Sequence, residues 1–186
     1  MLNYHLPNIH FAIAWNHYKN IGDFYNDFMN MVGYNDWVCF IDGDAMHTHT
    51  YFGTNIAKVI INNPNYDLFT CYTNRIGCNW QILKNVDKSN NDISYHREIS
   101  KNQWIKYQTH CTNVTNFKPF LSGFMILLNK KSWLKFGEFK SNGMLGIDNN
   151  YHEQIKNNGG KIGRADGIYI YHWYRNNNHN ELNHLI

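Results

Sequence analysis

Residues 37–44, WVCFIDGD, join a run of five apolar residues to two carboxylates that are separated by a single glycine. The apolar run has the length and composition of a strand that is buried on both faces. Because like charges this close repel each other, Asp42 and Asp44 at the end of such a strand favour a nearby cation. Mn²⁺ or Mg²⁺, which accept oxygen ligands, would supply one. A solvated Asp-Gly turn is the alternative, but the position directly after an apolar strand favours a metal site.

Apolar runs of strand length alternate with segments of helical periodicity along the chain. The predicted strands cover residues 9–15, 37–41, 67–72, 121–128 and 167–171, and the predicted helices cover 22–32, 53–62, 130–136 and 148–158. This alternation is typical of an α/β fold with a mostly parallel sheet, in which ligands bind at the carboxyl ends of the strands.

The sequence predicts one domain over residues 1–186. Residues 84–118 are polar and weakly patterned, and we expect them to form a variable, flexible or ligand-gated segment with a helix around 98–108. Residues 176–186 are expected to form a loose tail.

Composition excludes several classes of protein. With 43% hydrophobic and 16% aromatic residues, the chain can bury a sizeable core and is not disordered. A formal net charge of +3 is too small and too scattered for a nucleic-acid or membrane-surface footprint. No apolar run approaches the roughly 20 residues that span a bilayer. The four cysteines form no CxxC pair, so we expect reduced thiols in a soluble, cytoplasmic protein.

Two further residues are candidates for chemistry. Ile168, Ile170 and His172 alternate onto one face of the last predicted strand, which places His172 at its carboxyl end. An imidazole there can be a third metal ligand, although a lone histidine is more often structural. Asp148 begins the predicted helix after residues 143–147, and it can act as the N-cap or as a general base toward an acceptor hydroxyl. The sequence leaves both roles open.

Two arginines follow predicted strands. Arg75 comes after the strand at 67–72, and Arg175 comes three positions after His172. The guanidinium group is well shaped for phosphate oxygens, so both residues are candidates to contact a phosphate. Taken singly, each is more often a partner in a surface salt bridge.

Four stretches, in this order, resemble the GT-A glycosyltransferases, in particular short family-2-like enzymes of bacteria, phages and large viruses. They are residues 19–46 (KNIGDFYNDFMNMVGYNDWVCFIDGDAM), 68–81 (LFTCYTNRIGCNWQ), 121–139 (LSGFMILLNKKSWLKFGEF) and 143–175 (GMLGIDNNYHEQIKNNGGKIGRADGIYIYHWYR). A DxD sequence alone is a weak signal, whereas four ordered blocks that end in YHWYR are specific. The resemblance implies a Rossmann-like, three-layer GT-A fold. For a viral member it implies the host cytoplasm or the virion as the setting.

The resemblance also implies a nucleotide-sugar donor, usually a UDP-sugar such as UDP-glucose or UDP-GlcNAc, bound with Mn²⁺ or Mg²⁺. Asp44 would then ligate the metal, and Asp42 would hold the ribose and metal-bound groups. His172 matches the late metal-binding histidine of the family. Asp148 matches the second acid of the Glu-Asp motif, which is the catalytic base of inverting members, although Ile147 stands in place of the glutamate.

Residues 14–26 match the segment that lies around the nucleotide base in this family. Trp15 or Tyr25 would stack on uracil, and several asparagines nearby would hydrogen-bond it. Gly43 would let a phosphate or ribose approach the backbone, and Gly123 would leave room beneath the donor sugar. The predicted donor-binding residues are Ala14, Trp15, Asn16, Asn20, Gly22, Tyr25, Asn26, Asp42, Gly43, Arg75, Gly123 and Arg175.

The predicted function is metal-dependent transfer of a sugar from a nucleotide-sugar to an acceptor hydroxyl, with inversion. The sequence leaves open whether the acceptor is a saccharide, a protein or a small molecule. The aromatic content and the tail at 176–186 are compatible with a homodimer.

Two other functions remain open. A haloacid-dehalogenase-like phosphatase also carries DxD after an apolar strand, and Asp42 would be its covalent nucleophile. That family usually places the motif on its first core strand, whereas a strand–helix unit precedes residue 37 here. A non-catalytic module that binds a sugar or a nucleotide would use the abundant Tyr and Trp side chains as stacking surfaces.

Overall fold

A seven-stranded sheet with helices on both faces makes up the part of the chain that the computed structural model describes, residues 6–141 and 143–173. The strands are β1 (Ile9–Ile13), β2 (Trp37–Ile41), β3 (Ala45–His47), β4 (Leu68–Thr73), β5 (Cys111–Asn113), β6 (Met125–Asn129) and β7 (Ile162–His172). The helices are α1 (Ile21–Met31), α2 (Phe52–Asn62), α3 (Ile93–Tyr107), α4 (Lys130–Phe136) and α5 (Ile147–Asn157), with a 3₁₀ turn at Asn79–Gln81. The predicted α/β class is therefore confirmed.

The sheet is mixed, in the order β1-β2-β6-β4-β7-β3, with β5 also paired to β7. The β1–β2 and β4–β7 pairs are parallel, while β6 runs antiparallel to both of its neighbours and β3 and β5 run antiparallel to β7. The prediction of a mostly parallel sheet is therefore wrong. Apolar runs report the burial of a strand, but they carry no information about its direction.

The residues of β2 show how both faces of the sheet are covered. Val38 and Phe40 pack in one apolar cluster with α1, α4 and α5, whereas Cys39 and Ile41 pack in another with α2. Every residue of β2 is buried, as its apolar run predicts. Burial of one large apolar side chain stabilises a fold by about 1.5–3 kcal/mol, so the strand that leads to the aspartates is firmly anchored.

Residues 84–118 contain more regular structure than the sequence predicts. Helix α3 begins at Ile93 rather than near residue 98, and Asp92 caps it by accepting a hydrogen bond from the Ser94 N–H at 2.8 Å. The buried residues of α3 are polar ones such as Ser100 and Gln103, so its sequence has no clear apolar periodicity. The short strand β5 follows and extends the sheet beside β7.

Several strand boundaries also differ from the prediction. Strand β1 ends at Ile13 rather than at residue 15, and β4 is shifted by one residue, to Leu68–Thr73. Strand β6 begins at Met125 rather than at residue 121, because residues 121–122 are irregular and residues 123–124 form the turn that leads into it. Strand β7 begins at Ile162 rather than at residue 167, since Gly163 and Arg164 interrupt the apolar pattern without ending the strand. Its last residue is His172, at the carboxyl end, as predicted.

All four cysteines are free thiols, and Cys39, Cys71 and Cys78 are buried. None of the described helices combines the length and the apolar character that crossing a membrane requires. The predicted tail at 176–186 and Arg175 lie outside the described residues.

Candidate metal and ligand site

A cleft of about 700 Å³ opens where β2 and β7 end and α5 begins. Asp42 and Asp44 follow β2, His172 closes β7, and Asp148 lies in the first turn of α5. In open α/β sheets the carboxyl ends of parallel strands are the usual place for a ligand. The described residues that line the cleft are Ala14, Ile21, Tyr25, Asp42, Gly43, Asp44, Ile76, Gly77, Ser122, Gly123, Phe124, Met144, Leu145, Gly146, Ile147, Asp148, Asn149, His172 and Trp173.

Asp42, Asp44 and His172 form a cluster whose ligand atoms all lie within 4.8 Å of one another. The Nε2 atom of His172 is 2.9 Å from Oδ1 of Asp44 and 4.0 Å from Oδ2 of Asp42. The backbone holds these residues in place, since the Trp173 N–H donates to the Asp44 carbonyl at 2.9 Å and Ala45 pairs with His172 between β3 and β7. Two carboxylates and an imidazole at this spacing could hold a divalent cation.

The imidazole of His172 is buried and tightly oriented. Its ring stacks on Phe124, and its backbone N–H donates to Oδ1 of Asn74 at 2.8 Å. Nδ1 lies 3.1 Å from the carbonyl oxygen of Arg75, while Nε2 faces the carboxylate of Asp44. Both partners are acceptors, and a neutral imidazole has only one N–H to donate. Donation of that N–H from Nδ1 to the Arg75 carbonyl would leave the lone pair of Nε2 facing the carboxylates, and this is the usual orientation of a metal-binding histidine.

The carboxyl group of Asp42 shows the electrostatic character of the cleft. Burial raises its pKa to about 6, His172 opposes this shift, and Asp44 and Asp148 add to it. Its side chain is still 39% exposed, so a ligand in the cleft can reach it. Three carboxyl groups that influence one another in one cleft favour the binding of a cation.

Asp148 is held by two backbone donors. Oδ2 accepts the N–H of Gly123 at 2.6 Å, and Oδ1 accepts the N–H of Asn149 at 2.8 Å. Burial raises the pKa of this carboxyl group above its usual value, and the two hydrogen bonds oppose that effect. The N-cap of α5 is Gly146 rather than Asp148, because the helix begins at Ile147. A carboxylate with a raised pKa in a cleft has the properties of a general base.

Gly123 is required by the close approach of Asp148. A Cβ at position 123 would lie 3.0 Å from the Cβ of Asp148 and 3.3 Å from its Oδ2. The preceding residue, Ser122, is held by the buried side chain of Gln81, whose Oε1 accepts the Ser122 N–H at 2.7 Å and whose Nε2 donates to the Ser122 carbonyl at 3.1 Å. Gln81 and Asn74 thus support the cleft, and sequence reasoning missed both because no local pattern marks a buried amide.

Some of the predicted donor-binding residues come together in the cleft and others do not. Ala14, Tyr25, Asp42, Gly43 and Gly123 line it. Tyr25 is only 4% exposed, however, and its ring packs against Phe40 and Phe139, so little of it is available to stack on a base.

Five predicted donor-binding residues lie on α1 or just before it, or on the segment after β4, without lining the cleft. These residues are Trp15, Asn16, Asn20, Gly22 and Arg75. Trp15 is 68% exposed. The side-chain oxygen of Asn16 accepts the backbone N–H groups of Tyr18 and Asn20. Arg75 donates from Nη2 to Oδ1 of Asn91 at 2.9 Å.

Asn20 and Gly22, at the start of α1, make contacts that stabilise the fold. Asn20 donates from Nδ2 to Asp23 and to Ser141. Gly22 lets α1 approach the loop before residue 141, since a Cβ there would lie 2.1 Å from the carbonyl oxygen of Lys140. Neither contact involves the cleft.

Asn26 also lies outside the cleft. Its Nδ2 donates to the Phe139 carbonyl at 2.9 Å, and its Oδ1 accepts from the Phe139 N–H at 2.9 Å and from Trp133 Nε1 at 3.2 Å. The side chain is buried and ties α1 to α4 and to the segment after it, so these contacts indicate a structural role.

No protein-family model matches this chain, and no curated protein is significantly similar to it. Function is therefore inferred from the chemistry of the cleft. The cleft combines a cluster that could hold a cation with a separate carboxylate of raised pKa, and this pair of features suits a reaction in which an anionic group leaves and a proton is removed.

Proposed function

We propose that this chain is a metal-dependent glycosyltransferase of the GT-A type. It would move a sugar from a nucleotide-sugar, most simply a UDP-sugar such as UDP-glucose or UDP-GlcNAc, to an acceptor hydroxyl with inversion. The main support for the proposal is that the cluster of Asp42, Asp44 and His172 lines the same cleft as Asp148. The volume of that cleft, about 700 Å³, is within the usual range for small-molecule sites.

Asp44 and His172, together with Asp42, would hold Mn²⁺ or Mg²⁺. When bound, the ion would supply positive charge to the two phosphates of the departing nucleotide. The contact between Nδ1 of His172 and the backbone carbonyl oxygen of Arg75 keeps Nε2 turned toward the carboxylates. Gly43, between the two aspartates, leaves the backbone open to a phosphate or a ribose.

Asp148 would be the general base. It takes the proton of the acceptor hydroxyl as that oxygen bonds to the anomeric carbon, on the face opposite the leaving group. The bond between the anomeric carbon and the phosphate oxygen breaks, and the nucleoside diphosphate leaves with the electron pair. A carboxylate with a raised pKa is a stronger base than an ordinary one, and the N–H of Gly123 fixes its orientation.

The outer wall of the cleft suits an acceptor with apolar edges, such as a saccharide. Trp173 is 44% exposed and Leu145 is 53% exposed, and both line the cleft that contains Asp148. Aromatic faces pack well against the apolar edges of sugar rings. We therefore propose that the acceptor enters along Trp173.

Thermal melting with a panel of nucleotides and nucleotide-sugars, each with Mn²⁺, Mg²⁺ or EDTA, tests the donor site. A ligand that binds only the folded state raises the melting temperature by mass action. We expect a metal-dependent shift for one nucleotide family, followed by release of its nucleoside diphosphate when an acceptor is added.

Other outcomes would overturn this proposal in different ways. Release of inorganic phosphate from phosphate esters would indicate a phosphatase. Saturable binding without release of either product would indicate a binding module. The absence of any shift, in a protein that melts cooperatively, would show that the aspartates serve another purpose.

A further inference from the structure

A second cavity, of about 500 Å³, lies between the 3₁₀ turn at Asn79–Gln81, the last turns of α3 and the strands β4 and β7. It shares no lining residue with the cleft. Its described lining residues are Tyr72, Asn79, Trp80, Ile82, Leu83, Lys84, Asn85, Gln103, Lys106, Tyr107 and Arg164. Its volume falls within the roughly 300–1,000 Å³ of small-molecule sites.

The charge of this cavity is positive. Lys84 and Lys106 are exposed at its rim, and in residues 6–141 and 143–173 neither ammonium group pairs with a carboxylate. Arg164 adds a third cation, but Asp166 neutralises it through a contact of 2.7 Å from Nε to Oδ1. The described lining contains no acidic side chain, so the two lysines leave the cavity with an excess of positive charge.

The inner walls of the cavity are aromatic and already fixed. The guanidinium of Arg164 lies 4.1 Å from the centre of the Tyr72 ring and donates to the Trp80 carbonyl at 2.7 Å. The indole N–H of Trp80 donates to the Pro119 carbonyl at 2.6 Å, which holds its ring in place. A site whose walls are already ordered loses little entropy when a ligand binds.

The polar side chains of the lining complement these rings. Asn79, Asn85 and Gln103 carry amides, which both donate and accept hydrogen bonds. Nε2 of the buried Gln103 already donates to the Asp166 carbonyl at 2.7 Å, so the two exposed asparagines are the more available of the three. Amides match the hydroxyl groups of a sugar, aromatic rings match its apolar edges, and ammonium groups match a phosphate. A neutral sugar would give the two lysines no anionic partner, although the Lys106 ammonium already lies 5.0 Å from the centre of the Tyr107 ring. Inorganic phosphate would leave the aromatic walls uncovered.

We infer that this second cavity binds a phosphorylated sugar, with the phosphate at Lys84 and Lys106 and the ring against the aromatic wall. The inference goes beyond the proposed transfer reaction and does not depend on it, because the two sites have no residue in common.

Isothermal titration calorimetry in EDTA tests this inference with glucose 6-phosphate, glucose 1-phosphate, ribose 5-phosphate and N-acetylglucosamine 6-phosphate as probes. Glucose and inorganic phosphate are the comparison ligands. We expect saturable binding of at least one sugar phosphate, and binding that is several times weaker for either comparison ligand.

The matched variants are Lys84→Ala with Lys106→Ala and, as a control, Lys88→Ala with Lys101→Ala. Both pairs remove two exposed lysines, but only the first pair lines the cavity. The first pair should raise the Kd about tenfold or more, since charge-assisted contacts to a phosphate are the stronger class of hydrogen bond. The control pair should leave it unchanged.

The inference is overturned if none of the four sugar phosphates binds saturably, if the two double variants behave alike, or if inorganic phosphate binds as tightly as the sugar phosphates. Loss of binding in Asp44→Asn would also overturn it, because it would place the ligand in the cleft. None of these results would test the proposed transfer reaction, which is tested separately by melting with nucleotides and by release of nucleoside diphosphate.

Discussion

Nε2 of His172 lies 2.9 Å from Oδ1 of Asp44, across 128 residues of sequence. The contact exists only when β3 has paired with the end of β7, which sets Ala45 beside His172. An unfolded chain cannot present these two groups together. A cation held by the cluster should therefore bind the folded state and stabilise it.

Replacement of Asp44 by Asn should abolish stabilisation by Mn²⁺. A ligand at about 100 times its Kd stabilises a protein by about 2.7 kcal/mol, which corresponds to several degrees of melting temperature for a domain of this size. We expect such a shift for the parent protein and none for Asp44→Asn, measured by differential scanning fluorimetry in Mn²⁺ and in EDTA. Asp87→Asn, an exposed acid outside the cleft, is the matched control. An equal shift in both variants would show that the ion binds elsewhere.

The stability of the metal-free protein should depend on the ionisation of Asp42. Because the pKa of this residue is about 6 in the folded protein and near 3.8 without the fold, the folded state holds the proton more tightly. The contribution of Asp42 to the free energy of unfolding is therefore present below a pH of about 3.8 and is lost as the pH rises through about 6.

Urea unfolding in EDTA, at a series of pH values from about 4 to 8, measures this dependence. Between pH 3.8 and 6, the free energy of unfolding should fall less steeply for Asp42→Asn than for the parent, because the asparagine side chain does not titrate. The same proton competes with a cation, so stabilisation by Mn²⁺ should be larger above pH 6 than below it. Identical pH profiles for parent and variant would contradict the assignment.

Asp148→Asn should fold normally and lose transfer. The amide keeps one oxygen that can accept the Gly123 N–H, which Asp148 now accepts at 2.6 Å. Its NH₂ group cannot accept the Asn149 N–H, but that donor is exposed and water can replace the lost partner, so the fold should be retained. It cannot take a proton, and loss of a general base costs about 10²–10⁴ in rate. Release of nucleoside diphosphate measures the rate, and the melting shift with donor shows whether binding is retained.

The pH profile of that reaction provides a second check. Burial raises the pKa of Asp148, so activity should fall on the acid side at a higher pH than an ordinary carboxylate would give. Near-parent turnover by the folded Asp148→Asn variant would remove this residue from the mechanism.

Sequence reasoning found the parts of the site that depend on local pattern. The apolar run of β2 places Asp42 at the end of a buried strand, and the alternation before His172 places that residue at the end of β7. Both are consequences of short-range periodicity, which a single sequence displays directly.

The parts that were missed depend on long-range pairing. Strand β6 lies between β2 and β4 and runs antiparallel to both. The sequence of β6 indicates neither its direction nor its neighbours. Gln81 reaches Ser122 across 41 positions through a buried amide, which in the sequence resembles any exposed glutamine. The buried polar face of α3 likewise gives no amphipathic pattern.

Substitution of Asn26 distinguishes a structural role for this residue from a role in donor binding. Asn26→Ala would leave the N–H and carbonyl of Phe139 and the indole N–H of Trp133 without their partner. Buried groups that lose their hydrogen bonds cost about 1–3 kcal/mol each when no water replaces the partner. We expect a loss of about 2 kcal/mol or more in the free energy of unfolding, measured with urea.

Asn30→Ala is the matched control, because Asn30 lies one turn further along α1 and is exposed. Both substitutions replace the same residue type in the same helix, so the difference between the two variants reports mainly on the contacts of the buried Asn26 side chain. Donor affinity, measured well below the melting temperature, should be the same for both variants and the parent, because the side chain of Asn26 does not line the cleft. If Asn26→Ala were as stable as Asn30→Ala but bound the nucleotide-sugar much more weakly, Asn26 would contact the nucleotide. The cleft would then have to rearrange around its donor, because the contacts of Asn26 to Phe139 and Trp133 would first have to break.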